Sequence, residues 1–120
     1  MTVKKVLIVD DSTTDLTNLQ QICSGAGYSV ITASSGVEAV AKVNSEKPDV
    51  VLLDIIMADM NGFQVCRAIT SNAATQNIPV MLVSSKGERT DRIWGELQGA
   101  RAYITKPFTP EQILEQLARL

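Results

Sequence analysis

The sequence predicts an α/β protein built on an open, doubly wound sheet of five parallel strands, each followed by a helix. Three observations lead there. The apolar period switches five times between two and 3.6 along the 120 residues. Two runs, Val6 to Val9 and Val50 to Leu53, are apolar without alternation, as strands covered on both sheet faces must be. Asp10, Asp11, Asp54, Ser84 and Lys106 all fall where strands should end, and in such folds ligands sit outside the carboxyl ends of the strands, where the strand order reverses.

The elements follow in order. After the first strand, Ser12 to Thr14 can cap a helix carrying Leu16, Leu19, Ile22 and Cys23 on one face, ended by Gly25 or Gly27. Tyr28 to Ala33 reads as the second strand. Ser35 with Glu38 makes a capping-box pattern, and Val37, Val40 and Val43 continue at helical spacing until Pro48. The third strand ends on Asp54, and a loop from Met57 closes with the turn residues Asn61 and Gly62. Phe63, Cys66 and Ile69 mark the third helix. A polar stretch, Ser71 to Asn77, leads to the fourth strand, Val80 to Val83. Glu88 to Gln98 is a fourth helical pattern closed by Gly99, and Ala102 to Ile104 a short fifth strand. Thr109, Pro110 and Gln112 supply a cap, a first-turn proline and a capping-box partner for the last helix, whose stripe is Ile113, Leu114, Leu117 and Leu120.

Composition narrows the function. One domain fits in this length. Thirteen acidic residues against eleven basic give no reason to expect a nucleic-acid partner. The absence of histidine removes the commonest general base and zinc ligand. Cys23 and Cys66 lie in separate helical patterns without CxxC spacing, so free thiols are expected. No segment has the length of a signal peptide's apolar region or a membrane span, and the reading is a soluble, cytoplasmic protein. Neither GxGxxG nor GxxxxGK occurs, which disfavours nucleotide binding.

If the first and third strands are parallel neighbours, Asp10, Asp11 and Asp54 meet. At roughly 5 Å and an effective dielectric of about 20, each like pair repels by about 3 kcal/mol, so protons or a cation must neutralise the cluster. Mg²⁺ suits it, because it prefers oxygen ligands and keeps positions open for a phosphoryl group.

As a set, the acid pair, Asp54 in LLDIIM, Ser84 thirty residues later, and Lys106 before Pro107 and Phe108 resemble the receiver domains of two-component response regulators, especially stand-alone receivers of the CheY type. The resemblance covers essentially residues 1–120. It implies a flavodoxin-like (βα)5 fold with strand order 2-1-3-4-5, an order taken from the family and not from periodicity. It implies that Asp54 is the phosphoacceptor and that Asp10, Asp11, Asp54 and the backbone carbonyl of Ile56 hold Mg²⁺. It further implies that Lys106 contacts the phosphoryl group, that Ser84 and Tyr103 are switch residues, and that Lys106–Pro107 is a cis bond. A receiver is not an enzyme toward other substrates; its chemistry is its own phosphorylation and dephosphorylation. Its partners would be a chemotaxis-type histidine kinase and a protein target docking on the fourth helix, fifth strand and fifth helix, with the oligomeric state left open.

Departures matter as well. Ala58 stands where the family commonly has proline and Asn61 where it often has aspartate. Ile56 puts an apolar side chain at the mouth of the site, with Lys86 near it, and is expected to slow hydrolysis of the acyl phosphate. Gly95 after Trp94 permits close packing or belongs to an exposed docking face; Ile93 and Leu97 are expected in the core, Trp94 partly exposed. The run from Thr90 through Trp94, Gly95, Gln98, Gly99 and Ala100 resembles receivers of type IV pilus systems for twitching motility or phototaxis. With no output domain expected after Leu120, the output would be a protein contact or a phosphate sink. A phosphorylation-independent scaffold is the alternative. An aspartyl-phosphate hydrolase would want an acid where Ile56 stands.

Overall fold

The computed structural model describes residues 3–120. Its elements alternate along the chain: β1 (Lys5–Val9), α1 (Thr13–Gly25), β2 (Ser29–Ala33), α2 (Gly36–Glu46), β3 (Val50–Leu53), α3 (Gly62–Thr70), β4 (Val80–Ser84), α4 (Arg89–Leu97), β5 (Ala102–Thr105) and α5 (Pro110–Ala118). The strands form one parallel sheet in the order β2-β1-β3-β4-β5, as the resemblance implied. Winding reverses between β1 and β3, whose register pairs Val9 with Leu53. A crevice therefore opens beyond those two residues, between connections that leave in opposite directions.

The unalternating runs are explained by two cores, one on each face of the sheet. Leu7, Val9, Val51, Leu53 and Leu82 point to one side and pack with Ala39 and Val43 of α2 and Val65, Cys66 and Ile69 of α3. Val6, Ile8, Val50, Leu52, Met81 and Val83 point to the other and meet Leu19 and Cys23 of α1 and Ile113 and Leu117 of α5. Both cysteines are buried and free, and burial pushes the Cys23 thiol up to about 11 and that of Cys66 up to about 12.

Local signals set most helix starts. Ser12 caps α1 by accepting the Asp15 amide, and Thr109 with Gln112 forms the expected box ahead of Pro110. Two starts differ from expectation. The Ser35 hydroxyl does accept the Glu38 amide, but the Glu38 carboxylate turns to the amide and hydroxyl of Ser34, so the box is not closed on Ser35. Asn61 and Gly62 are not a turn: Asn61 is the cap of α3 in a box with Gln64, and Gly62 is the first helical residue. An added Cβ on Gly62 would lie 2.3 Å from the Asp54 carbonyl oxygen, so only glycine lets α3 begin against the end of β3.

Two apolar assignments are corrected. Val37 is exposed, and Ala39 takes its place in the core because it faces the sheet together with Val43. Ile93 and Leu97 are exposed as well, so the expectation of core packing fails for both. The reason is Gly95, the buried residue of α4. A Cβ there would lie 2.7 Å from Leu82 Cδ1 and 3.3 Å from the Tyr103 ring, so the helix rests on the sheet along its glycine, and the neighbouring apolar side chains splay to the sides. Trp94 is partly exposed as expected and meets the Phe63 ring edge-on at 6.5 Å.

Candidate functional site

The paired register of β1 and β3 fixes the first part of the site. Because Val9 lies beside Leu53 and the Asp54 amide donates to the Val9 carbonyl, Asp10 and Asp54 leave the sheet side by side. Asp11 follows at the surface, and each of the three acids offers a carboxylate oxygen within 4.8 Å of the others. Asp10 is 1% exposed and Asp54 7%, whereas Asp11 is open to solvent.

The second part comes from β4 and β5. Ser84 pairs with Thr105, and the Lys106 amide donates to the Ser84 carbonyl, which brings the lysine to the same edge. The Lys106–Pro107 bond is cis. Lys106 Nζ donates to Asp10 Oδ2 at 2.9 Å and to Asp15 Oδ2 at 2.9 Å, and lies 3.7 Å from Asp54 Oδ2. An ammonium from the chain itself thus offsets part of the repulsion among the carboxylates. The remaining Asp10 oxygen accepts the Ser12 amide at 2.9 Å, and Asp54 Oδ1 accepts the Ile55 amide at 2.8 Å.

These surroundings tune the groups differently. Burial raises the Asp54 carboxyl above its ordinary value, with the Lys106 charge pulling down and Asp10 pushing up. For Lys106, burial disfavours the charge, but the hydrogen bonds to Asp10 and Asp15 and the charge of Asp54 outweigh it and the pKa rises. Asp54 is therefore a desolvated nucleophile candidate beside a firmly charged ammonium.

Ser84 is fully buried, its Oγ accepting the Lys86 amide at 3.3 Å. The Tyr103 hydroxyl donates to the Lys86 carbonyl, its ring packs against the core that holds Leu82, and the Arg92 guanidinium lies 5.7 Å over the ring. Ser84 and Tyr103 thus hold the same residue of the β4–α4 loop from two sides. Ile56 is 53% exposed and lines a shallow apolar pocket with Ile55, Met57, Asn61, Phe63 and Lys86, beside the acids.

The donor set suits a hard divalent ion. It consists of carboxylate oxygens whose separations approach the roughly 4 Å across a six-coordinate Mg²⁺, with water free to bridge the remainder. The structure brings together all five acid, hydroxyl and lysine positions singled out in the sequence. It adds two that the sequence reading missed. Asp15 is a partner of Lys106, and its signal was an acid in the first turn of the helix directly after the acid pair; Gly62 sets the approach of α3 to Asp54.

An open parallel sheet with an acidic crevice at its switch point and a lysine opposite defines a class of α/β proteins whose strand-end site suits a cation and an anionic group. The comparisons with known proteins name the member of that class. A family model for the response regulator receiver domain matches residues 6–118, and the chain belongs to that family. It is 45% identical over 113 residues to protein PilH of Pseudomonas aeruginosa, covering 94% of this chain and 93% of PilH. To protein PilG of the same organism it is 36% identical, covering 92% of this chain and 82% of PilG. Among solved structures, a chain of the CheX-CheY-BeF3-Mg+2 complex from Borrelia burgdorferi superposes with a TM-score of 0.91 at 32% identity, covering 97% of this chain and 87% of that one.

Proposed function

We propose that the chain is a response regulator that accepts a phosphoryl group on the Asp54 carboxylate from a chemotaxis-type histidine kinase and passes the signal to a protein target across α4, β5 and α5. The observation that carries this reading is the setting of Asp54: buried, beside two further acids at one sheet edge, with the Lys106 ammonium 3.7 Å away. Phosphoryl transfer asks little of a protein beyond positioning and charge compensation. An Asp54 oxygen forms the bond to phosphorus while the donor's bond breaks and its electron pair leaves with the donor. Asp10, Asp11, Asp54 and the Ile56 carbonyl would hold Mg²⁺, which when bound supplies positive charge opposite that of Lys106. Ser84 donates its hydroxyl hydrogen to a phosphoryl oxygen, and a shift of its Oγ toward that oxygen pulls on the Lys86 amide whose hydrogen bond it accepts. Tyr103 registers that change through the Lys86 carbonyl and carries it to the face where Arg92 and Thr105 also meet.

The identity to PilH and PilG supports a role in pilus-based motility; the domain is proposed to act in the cytoplasm. The same identity is compatible with draining phosphate as a sink. No helix among the described residues is long and apolar enough to cross a membrane.

Intact-mass measurement after incubation with a small-molecule phosphodonor tests the reading. A gain of one phosphoryl group is expected with Mg²⁺, and none with a chelator or in Asp54→Asn. A chain that binds its partners equally well without any mass gain is a scaffold instead, and steady phosphate release from an unrelated substrate marks a hydrolase.

A further inference from the structure

Asp15 carries the strongest observation that the reading above does not use. Its carboxylate sits in the first turn of α1, partly open to solvent, and holds Lys106 Nζ at 2.9 Å, the same distance as Asp10. Asp54 is farther, at 3.7 Å. Of the three carboxylates around the ammonium, Asp15 alone lies outside the triad that could take a metal ion. It therefore shares the same three-donor cation with both Asp10 and Asp54.

The geometry points to Asp15 as a positioning residue that takes one donor of the Lys106 ammonium, weakening the lysine's hold on Asp10 as a ligand of the divalent ion and holding the lysine back from the phosphoryl group on Asp54. This rests on the receiver reading above. Two effects follow from one contact. Without the Asp15 charge, Lys106 donates more fully to Asp10, making that oxygen a poorer ligand, and the site loses a negative charge that attracts a divalent ion. Metal affinity should fall. The same loss leaves the ammonium free to approach Asp54 and the phosphoryl oxygens, so acceptance at saturating metal should not fall with it. A residue that merely stabilised α1 would move neither quantity, and a residue of the acceptance machinery would lower both.

The test compares the unsubstituted chain with Asp15→Asn and Asp15→Glu, using denaturant midpoints to select conditions in which all three are folded. Mg²⁺ is titrated into each unphosphorylated protein by calorimetry, a readout independent of phosphorylation. The acceptance rate from a small-molecule phosphodonor is then followed by intact mass at saturating Mg²⁺. Expected is a several-fold weaker Mg²⁺ affinity in Asp15→Asn, an acceptance rate equal to or above that of the unsubstituted chain, and recovery of affinity in Asp15→Glu, which restores the charge. Unchanged affinity in Asp15→Asn, or a fall in both affinity and saturated rate, overturns the assignment. If the unsubstituted chain itself takes up no phosphoryl group, the receiver reading fails and this inference with it; a normal unsubstituted chain with an indifferent Asp15→Asn sinks this inference alone.

Discussion

Ile56 stands two residues beyond Asp54 with half its surface exposed, and it lines an apolar pocket with Phe63 and Met57 beside the acids. A water molecule attacking an acyl phosphate from this side has to displace contacts with a side chain that offers no hydrogen bond. Ile56→Asn would replace that barrier with an amide able to hold water, so loss of the phosphoryl group should speed up several-fold. Following the decay of the phosphorylated mass checks this, and an unchanged decay removes Ile56 from the account. Gly62 belongs to the same scale. The approach of its Cα to the Asp54 carbonyl is invisible in a motif, because the two residues meet only when α3 folds back onto β3.

Among elements, α4 departs furthest from its sequence pattern. Its helical spacing suggested that Ile93 and Leu97 face the sheet, whereas Gly95 does so, and α4 is held instead by Arg92 donating to Thr105 at 2.9 Å and lying over Tyr103. Leu97 is 66% exposed, so Leu97→Ala should change stability by less than about 0.5 kcal/mol. Ile113, fully buried in α5, should cost about 3 kcal/mol as alanine through lost burial and the cavity left behind. Chemical denaturation of the two variants compares them directly, and a large loss for Leu97→Ala would mean that α4 sits closer to the sheet than described. The low cost expected of α4's apolar side chains also suits an element that presents a surface to others.

At the scale of the molecule, two acids, Asp49 and Asp59, tie separate segments together through backbone amides. Asp49, just ahead of β3, accepts the amides of Lys4 and Lys5 at 2.9 and 2.8 Å, joining the start of β1 to the entry of the central strand. Those amides, first that of Lys5, hold its carboxyl below the ordinary 3.8. In the folded state Asp49 therefore binds its proton less tightly than in the unfolded chain. Its stabilisation is present above that ordinary value and is lost as pH falls through the lower folded one. Asp49→Asn should be less stable than the unsubstituted chain at neutral pH, with the difference closing under acid conditions. Denaturant midpoints measured across that range check the sign, and a gap that widens on acidification contradicts it.

The order of elements, the double-sided burial of β1 and β3 and the convergence of Asp10, Asp11, Asp54, Ser84 and Lys106 at strand ends were legible from sequence. Periodicity and strand-end position are local properties, and a parallel sheet translates them directly into faces and edges. The strand order needed the family resemblance, since periodicity says nothing about which parallel strands are neighbours. What only the tertiary structure decided were the contacts between segments distant in the chain: Asp15 with Lys106, Gly62 with the Asp54 carbonyl, and Gly95 with Leu82. Each depends on the rotation and separation of packed elements to within an ångström or two. A sequence pattern carries the face of a helix but not the depth at which it settles on its sheet.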